Sequence, residues 1–298
     1  MILNWNRGAD TVACLKSLDK SRLPKETEIL TVVVDNASTD DSLSLLHKLL
    51  APAFRLVKNE ANLGYVGGNN VGVKVCLEEK CDWVMVLNND TLVDRDFLKE
   101  MLVEADKNKK VGLISPKIYF APGFEFHKDR YPKGVLGKVI WSAGGEMDWA
   151  NCFGKNMGID DVDRGQYDKV KEVNFATGAC LLVRSDIFFK IGFFDERFYL
   201  YFEDVEFCQR LLKANYKILY VPKSIIWHKV AQSSGVGSDL NDYFITRNRL
   251  LFGLTYAPIK TKLALIREAI GFLVGGRVWQ KRGVVDFVKR SFGKGSWK

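Results

Sequence analysis

VVVDNASTDDS, Val32–Ser42, passes in one step from three β-branched residues into a run of turn formers and helix caps. A short continuous apolar run of this kind makes a strand buried on both faces, and Asp, Asn and Ser directly after it make a turn that leads into a helix. The C-terminal end of such a strand is where open α/β sheets hold their ligands.

The same transition repeats along the first half of the chain. Strand-like runs at Ile29–Val34, Arg55–Lys58, Trp83–Leu87 and Val111–Ser115 alternate with apolar residues at helical spacing. Those helical sets are Thr11, Cys14, Leu15 and Leu18; Leu43, Leu46 and Leu50; and Phe97, Met101 and Ala105. This is the pattern of βαβ units, and the expected fold class is α/β, a mixed, mainly parallel sheet flanked by helices. Ahead of Asn4 lies a first strand of only Met1–Leu3, either abbreviated or preceded by further residues. From Lys117 to Lys171 glycines, aromatics and charges replace the regular pattern, which suits long loops and small hairpins. Regularity returns at Val173–Arg184. A short helix capped by Ser185 ends at Gly192, and another spans Val205–Ala214 with Asn215 as a left-handed stop. A strand at Lys217–Val221 is expected to end at Pro222, and a late one covers Ile225–Trp227.

The bulk composition excludes several classes. With 298 residues, 47% of them hydrophobic, the chain can bury a large core. Six scattered cysteines without a CxxC pair and only three histidines suggest neither a disulfide framework nor a zinc cage, so the thiols should be reduced and mostly buried. No stretch reaches the roughly 18 uninterrupted apolar residues of a membrane span, and a cytoplasmic chain is expected. The net charge of +8 is concentrated at the end, because Asn241–Lys298 holds twelve Lys/Arg against three Asp/Glu. Apolar Leu263, Leu265, Ile266, Ile270, Phe272 and Leu273 interleave with those charges. The segment therefore suits an amphipathic helix lying on an anionic membrane face, and equally a solvated tail.

Four polar clusters carry the chemistry. Asp35 and Asn36 offer an acceptor and an amide that can read the imide edge of a pyrimidine, and they suit an Asx turn as well. In NLGYVGGNN, Asn62–Asn70, the glycines at 64, 67 and 68 let backbone approach a ligand ahead of a helix starting near Asn69. The spacing is not GxGxxG, which argues against a dinucleotide fold. A plain glycine turn stays open. Asn88-Asn89-Asp90 puts a hard oxygen ligand at a strand end, suited to Mg²⁺ or Mn²⁺, and His228 could add a second donor or be structural. Glu203-Asp204 follows an aromatic run, Phe193–Phe202. A carboxylate beside such a wall and a like charge can serve as a general base, while Asp204 could instead be a helix cap.

In this order, Asn4-Trp5-Asn6, DNASTD, NLGYVGGNN, LNNDT, ATGACLLVRSDIF (Ala176–Phe188), GFFDERFYLYFEDVEFCQRL (Gly192–Leu211) and IWHK (Ile226–Lys229) resemble the family 2 glycosyltransferases of GT-A fold, in their rhamnosyltransferase-like branch. The resemblance implies an inverting, metal-dependent transferase. It assigns Asp35 to the pyrimidine base, with Asn36, Asn62, Gly64, Gly68, Asn69 and Asn89 as further nucleotide contacts. Asp90 becomes the remaining acid of the metal-binding DXD motif, whose first position here is an amide. Asp204 becomes the base with Glu203 beside it, and His228 approaches metal and diphosphate. Implied partners are a dTDP- or UDP-linked rhamnose or hexose donor and a glycan or lipid-linked acceptor of surface polysaccharide synthesis, with no nucleic acid. Residues 1–240 would form the transferase domain, its nucleotide half at about 1–115 and its acceptor half at 116–240, followed by a basic helical tail at 241–298. A non-catalytic nucleotide-sugar or glycan-binding protein of the same fold is the alternative.

Overall fold

The computed structural model describes residues 1–49, 53–230 and 237–298, so Leu50 of the second helical set lies outside the described residues. The first half runs β1 (Ile2–Asn4), α1 (Gly8–Leu18), β2 (Val32–Asp35), α2 (Ser42–His47), β3 (Arg55–Lys58), α3 (Gly64–Glu78), β4 (Trp83–Asn88), β5 (Thr91–Val93), α4 (Phe97–Ala105) and β6 (Val111–Phe120). The stretch expected to hold loops and hairpins contributes β7 (Ile140–Ser142), the hairpin β8 (Gly145–Asp148) and β9 (Phe153–Asn156), and then β10 (Lys171–Val173). Next come β11 (Cys180–Arg184), α5 (Ser185–Ile191), α6 (Glu203–Lys213) and β12 (Lys217–His228). Three helices close the chain: α7 (Asp239–Tyr256), α8 (Ile259–Gly275) and α9 (Val278–Val288).

Among the described residues, one sheet has the strand order β10-β12-β6-β11-β4-β1-β2-β3, with β5 on β12 and β7 on β6. β4, β1, β2 and β3 are parallel neighbours, and β6 is parallel to β12. β11 enters antiparallel to both β4 and β6, which makes the sheet mixed. The two-residue period of a strand divides β2 between two cores. Val33 packs with Ile2, Cys14, Leu15 and Phe97 on one face, while Val32 and Val34 join Val66 and Val73 on the other. Burying both faces explains why β2 reads as an unbroken apolar run. All six cysteines are free thiols, five of them buried.

The structure differs from the sequence expectations in five places; in one, Ser185 is the first residue of α5 and Arg184 its N-cap, with the Ser185 hydroxyl bonded to Cys81 O. β2 starts at Val32, and Ile29 and Leu30 lie largely exposed outside it. α3 starts at Gly64, five residues before Asn69, so the glycines sit in its first turns. They serve contact between helix and sheet: a Cβ on Gly68 would come 2.4 Å from Leu3 Cδ1, and one on Gly72 2.4 Å from Met1 Cε. β12 continues through Pro222 to His228, with an irregularity in its pairing to β6 between Val221 and Ile225. A bulge is where a residue without an N–H can be accommodated inside a sheet. α6 starts at Glu203, with Phe202 at the N-cap, so Asp204 lies inside the first turn and is not the cap.

Candidate active site

The C-terminal ends of β1, β2 and β4 bring Asn4, Asp35 and Asn88 to one edge, and side-chain hydrogen bonds tie Asn4 to Asp35 and, through Thr11, to Asn89. Asn4 Nδ2 donates to Asp35 Oδ2 at 2.8 Å, and its Oδ1 accepts from Thr11 Oγ1 at 2.7 Å. Asn89 Nδ2 reaches Thr11 Oγ1 at 3.0 Å. Asp35 is 1% exposed, and its second oxygen accepts from Ser38 N at 3.0 Å.

Asn36 uses its whole side-chain amide within the chain. Nδ2 donates to Asn62 Oδ1 and Gly64 O, and Oδ1 accepts from Asn59 Nδ2 and Leu63 N. Asn62 Oδ1 also accepts from Gly64 N at 2.8 Å. Asn69, buried, donates to Tyr65 O at 2.8 Å. These amides shape the turn that starts α3. Gly64 has φ +75°, and a Cβ there would lie 2.5 Å from the Tyr199 ring, so both conformation and space require glycine.

Tyr65 links the halves of the site. Its hydroxyl lies 2.8 Å from Asn88 Oδ1 and 2.9 Å from Gly178 O, while Gly178 N donates to Asp204 Oδ2 at 2.8 Å. Burial raises the Tyr65 pKa first, and the charges of Glu203, Asp204 and Asp90 raise it further. Sequence reasoning missed Tyr65 and Gly178 as site residues, although both lie within motifs it singled out. Neither residue type marks itself as a bridge without the fold.

Asp90 Oδ1 stands 3.0 Å from His228 Nε2 across the β5–β12 pairing. That contact lacks hydrogen-bond geometry, and buried Asp90 Oδ1 and His228 Nδ1 have no hydrogen-bond partner. Hard oxygen and imidazole nitrogen donors, partly desolvated and unused, fit a divalent cation that takes its other ligands from phosphate and water. Among the described residues no group of three or more His, Cys, Asp or Glu could hold a metal alone.

Glu203 is 6% exposed, and its Oε2 has no hydrogen-bond partner. Burial pushes its carboxyl well above the usual range, and the neighbouring Asp204 charge adds to this. Burial also raises Asp204, opposed by the N–H groups of Gly178 and Val205. Tyr199, Tyr201 and Phe202, just before the pair, have φ of 63°, 69° and 73°. Left-handed backbone at such residues costs roughly 1–3 kcal/mol each.

The sequence profile described as Glycosyl transferase family 2 matches residues 1–191. The chain belongs to that family. This family 2 chain is 28% identical over 188 residues to the low-salt glycan biosynthesis hexosyltransferase Agl10 of Haloferax volcanii, an alignment covering 63% of this chain and 54% of that protein. It is 28% identical over 225 residues to the N-acetylglucosaminyl-diphospho-decaprenol L-rhamnosyltransferase of Mycobacterium tuberculosis, covering 72% and 70%. It thus spans about half the length of the Haloferax relative. The solved structure of GalNAc-T7 with UDP, GalNAc and Mn²⁺ superposes with a TM-score of 0.60 at 16% identity, covering 90% of this chain and 53% of that one. At that identity the likeness concerns fold alone, and the fold is the expected GT-A.

Proposed function

We propose that this family 2 chain transfers a sugar, with inversion, from a dTDP- or UDP-linked rhamnose or hexose donor to a hydroxyl of a glycan or lipid-linked acceptor in surface polysaccharide synthesis. The observation that carries this is Tyr65, whose hydroxyl joins Asn88, two residues before Asp90, to Gly178, which in turn binds Asp204 at the end of an aromatic loop. In the proposed division, residues 1–115 hold the nucleotide, 116–240 the acceptor and the base, and 241–298 a helical segment whose α8 meets the membrane. The names of the relatives and the UDP named with the fold neighbour support the substrate class.

Asp35 faces the pyrimidine imide, beside the turn into α3 that Asn36, Asn62 and Asn69 shape. Asn89 and the amides at the start of α3 around Gly64 lie along the nucleotide, with Gly68 letting α3 close onto β1 beside it. Asp204 takes the proton from the acceptor hydroxyl as that oxygen forms a bond to the anomeric carbon. The bond from that carbon to the diphosphate oxygen breaks on the opposite face, and its electron pair leaves with the nucleotide. Mg²⁺ or Mn²⁺, held by Asp90 and His228, would supply charge neutralisation for the diphosphate. Burial beside Asp204 disfavours a second negative charge on Glu203 next to the incoming oxygen. Proton spectra of the product check the stereochemistry: its anomeric configuration is expected to be opposite to the donor's, and retention contradicts the mechanism.

We further propose that α8 seats the protein on an anionic membrane at the cytoplasmic face. Among the described residues no helix is long and apolar enough to cross a membrane. Along α8, however, Ile259, Leu263, Ile266, Ile270, Leu273 and Val274 are 45–80% exposed and recur at helical spacing, with Lys260, Lys262 and Arg267 among them. An apolar stripe flanked by cations fits acyl chains below anionic headgroups. Flotation with vesicles containing phosphatidylglycerol should carry the wild type upward and leave Leu263→Asp/Ile270→Asp behind. Equal flotation of both, or of neither, removes the docking proposal.

A further inference from the structure

We infer that Arg247 and Asn248, on the buried face of α7, are positioning residues for transfer, holding the backbone of Arg197–Tyr201 in the shape that aims Asp204 at the acceptor. The inference rests on Asp204 being the base. Both side chains are 0% exposed. Asn248 Nδ2 lies 2.8, 2.7 and 2.9 Å from the carbonyls of Phe198, Leu200 and Tyr201, gathering the loop around a single nitrogen. Arg247 donates to the carbonyls of Arg197 and Phe198 at 3.2 and 3.1 Å, and its Nε holds Asn248 Oδ1 at 3.0 Å. The remaining carbonyl, of Tyr199, accepts from Val66 N at 3.1 Å.

Every carbonyl from residue 197 to 201 is thus turned toward a donor, an arrangement these residues do not prefer locally. Tyr199, Tyr201 and Phe202 all adopt left-handed backbone, and Glu203-Asp204 follows with no intervening residue. What fixes the loop fixes the start of α6, and with it the direction of the Asp204 carboxylate.

Packing alone does not require these two residues. Apolar neighbours on α7, including Phe244, Leu251 and Phe252, already bury a hydrophobic face. A buried guanidinium and amide among them gain little except through the specific bonds they make. Arg247 spends its bonds largely on neutral carbonyls, including Ser291 O at 3.4 Å, and on the hydroxyl of Tyr243, which itself donates to Asp286 Oδ2 at 2.6 Å. The same C-terminal stretch returns to the loop, where Gly293 N donates to Arg197 O at 2.9 Å.

The test compares wild type, Asn248→Ala, Arg247→Lys and Asp204→Asn, with turnover normalised to donor-binding sites counted by calorimetric titration with donor nucleotide. Asn248→Ala should keep the number of sites and the donor affinity while turnover per site falls about 10²-fold, as expected for misplacement of a reacting group by about an ångström. Tyr201→Gly in that background should recover part of the loss, because glycine holds φ near +69° without a brace. Fewer sites, each with wild-type turnover, would show a merely structural role and overturn the inference. Should Asn248→Ala not fold, Arg247→Lys, which keeps the charge and loses the fork, is read by the same criterion. Full turnover in Asp204→Asn would fail the base assignment alone. Loss there with full turnover per site in the α7 variants would fail the positioning inference alone.

Discussion

Replacing Asp204 with asparagine is expected to lower turnover by about 10²–10⁴-fold, the usual worth of general-base catalysis, while donor affinity should stay within about twofold. Asparagine keeps the shape and can still accept the Gly178 N–H bond that Asp204 accepts at 2.8 Å. It cannot take a proton. The pH profile separates this from a local disturbance. A base works only when ionised, and burial places the Asp204 pKa above its usual 3.8. In the wild type kcat/KM therefore falls as the medium is acidified through that raised pKa and is flat above it. The residual activity of the variant should lack this acid limb. Wild-type turnover in Asp204→Asn would remove the residue from the base role.

The second large effect is expected at Asp90. Its Oδ1, without a hydrogen-bond partner and 3.0 Å from His228 Nε2, is the carboxylate donor of the candidate cation site. Losing a supporting residue around a metal typically costs 10–100-fold in metal affinity or activity, so removing a direct ligand in Asp90→Ala should weaken metal-dependent donor binding by about 10²-fold or more. Without metal, variant and wild type should bind the nucleotide alike, because Asp35 and the turn it belongs to are untouched.

The sequence made the first half of the fold legible because its signals are local. Val32–Val34 form one apolar run, Cys14 and Leu15 lie on one helical stripe, and Asp35 and Asp90 stand at strand ends. What stayed hidden depends on distant partners. Pro222 reads as a terminator, yet pairing with β6 on either side of the irregularity carries β12 onward to His228. Gly68 reads as loop because nothing near it in sequence reveals that Leu3 sits where its side chain would be. Nor does any local preference call for left-handed backbone at Tyr201 and Phe202. Their brace, Asn248, lies 47 residues beyond Tyr201 and is inconspicuous in a segment read for its charge.

Donor class and metal dependence are joined in a single measurement: calorimetric titration of the wild type and Asp90→Ala with UDP, dTDP and GDP, each with and without Mn²⁺. The expected result is that UDP or dTDP binds the wild type, more tightly with Mn²⁺, that GDP binds far more weakly, and that Asp90→Ala loses the enhancement by metal. Binding indifferent to metal, an equal response to GDP, or an unchanged enhancement in Asp90→Ala would contradict a pyrimidine-diphosphate site completed by a cation at Asp90.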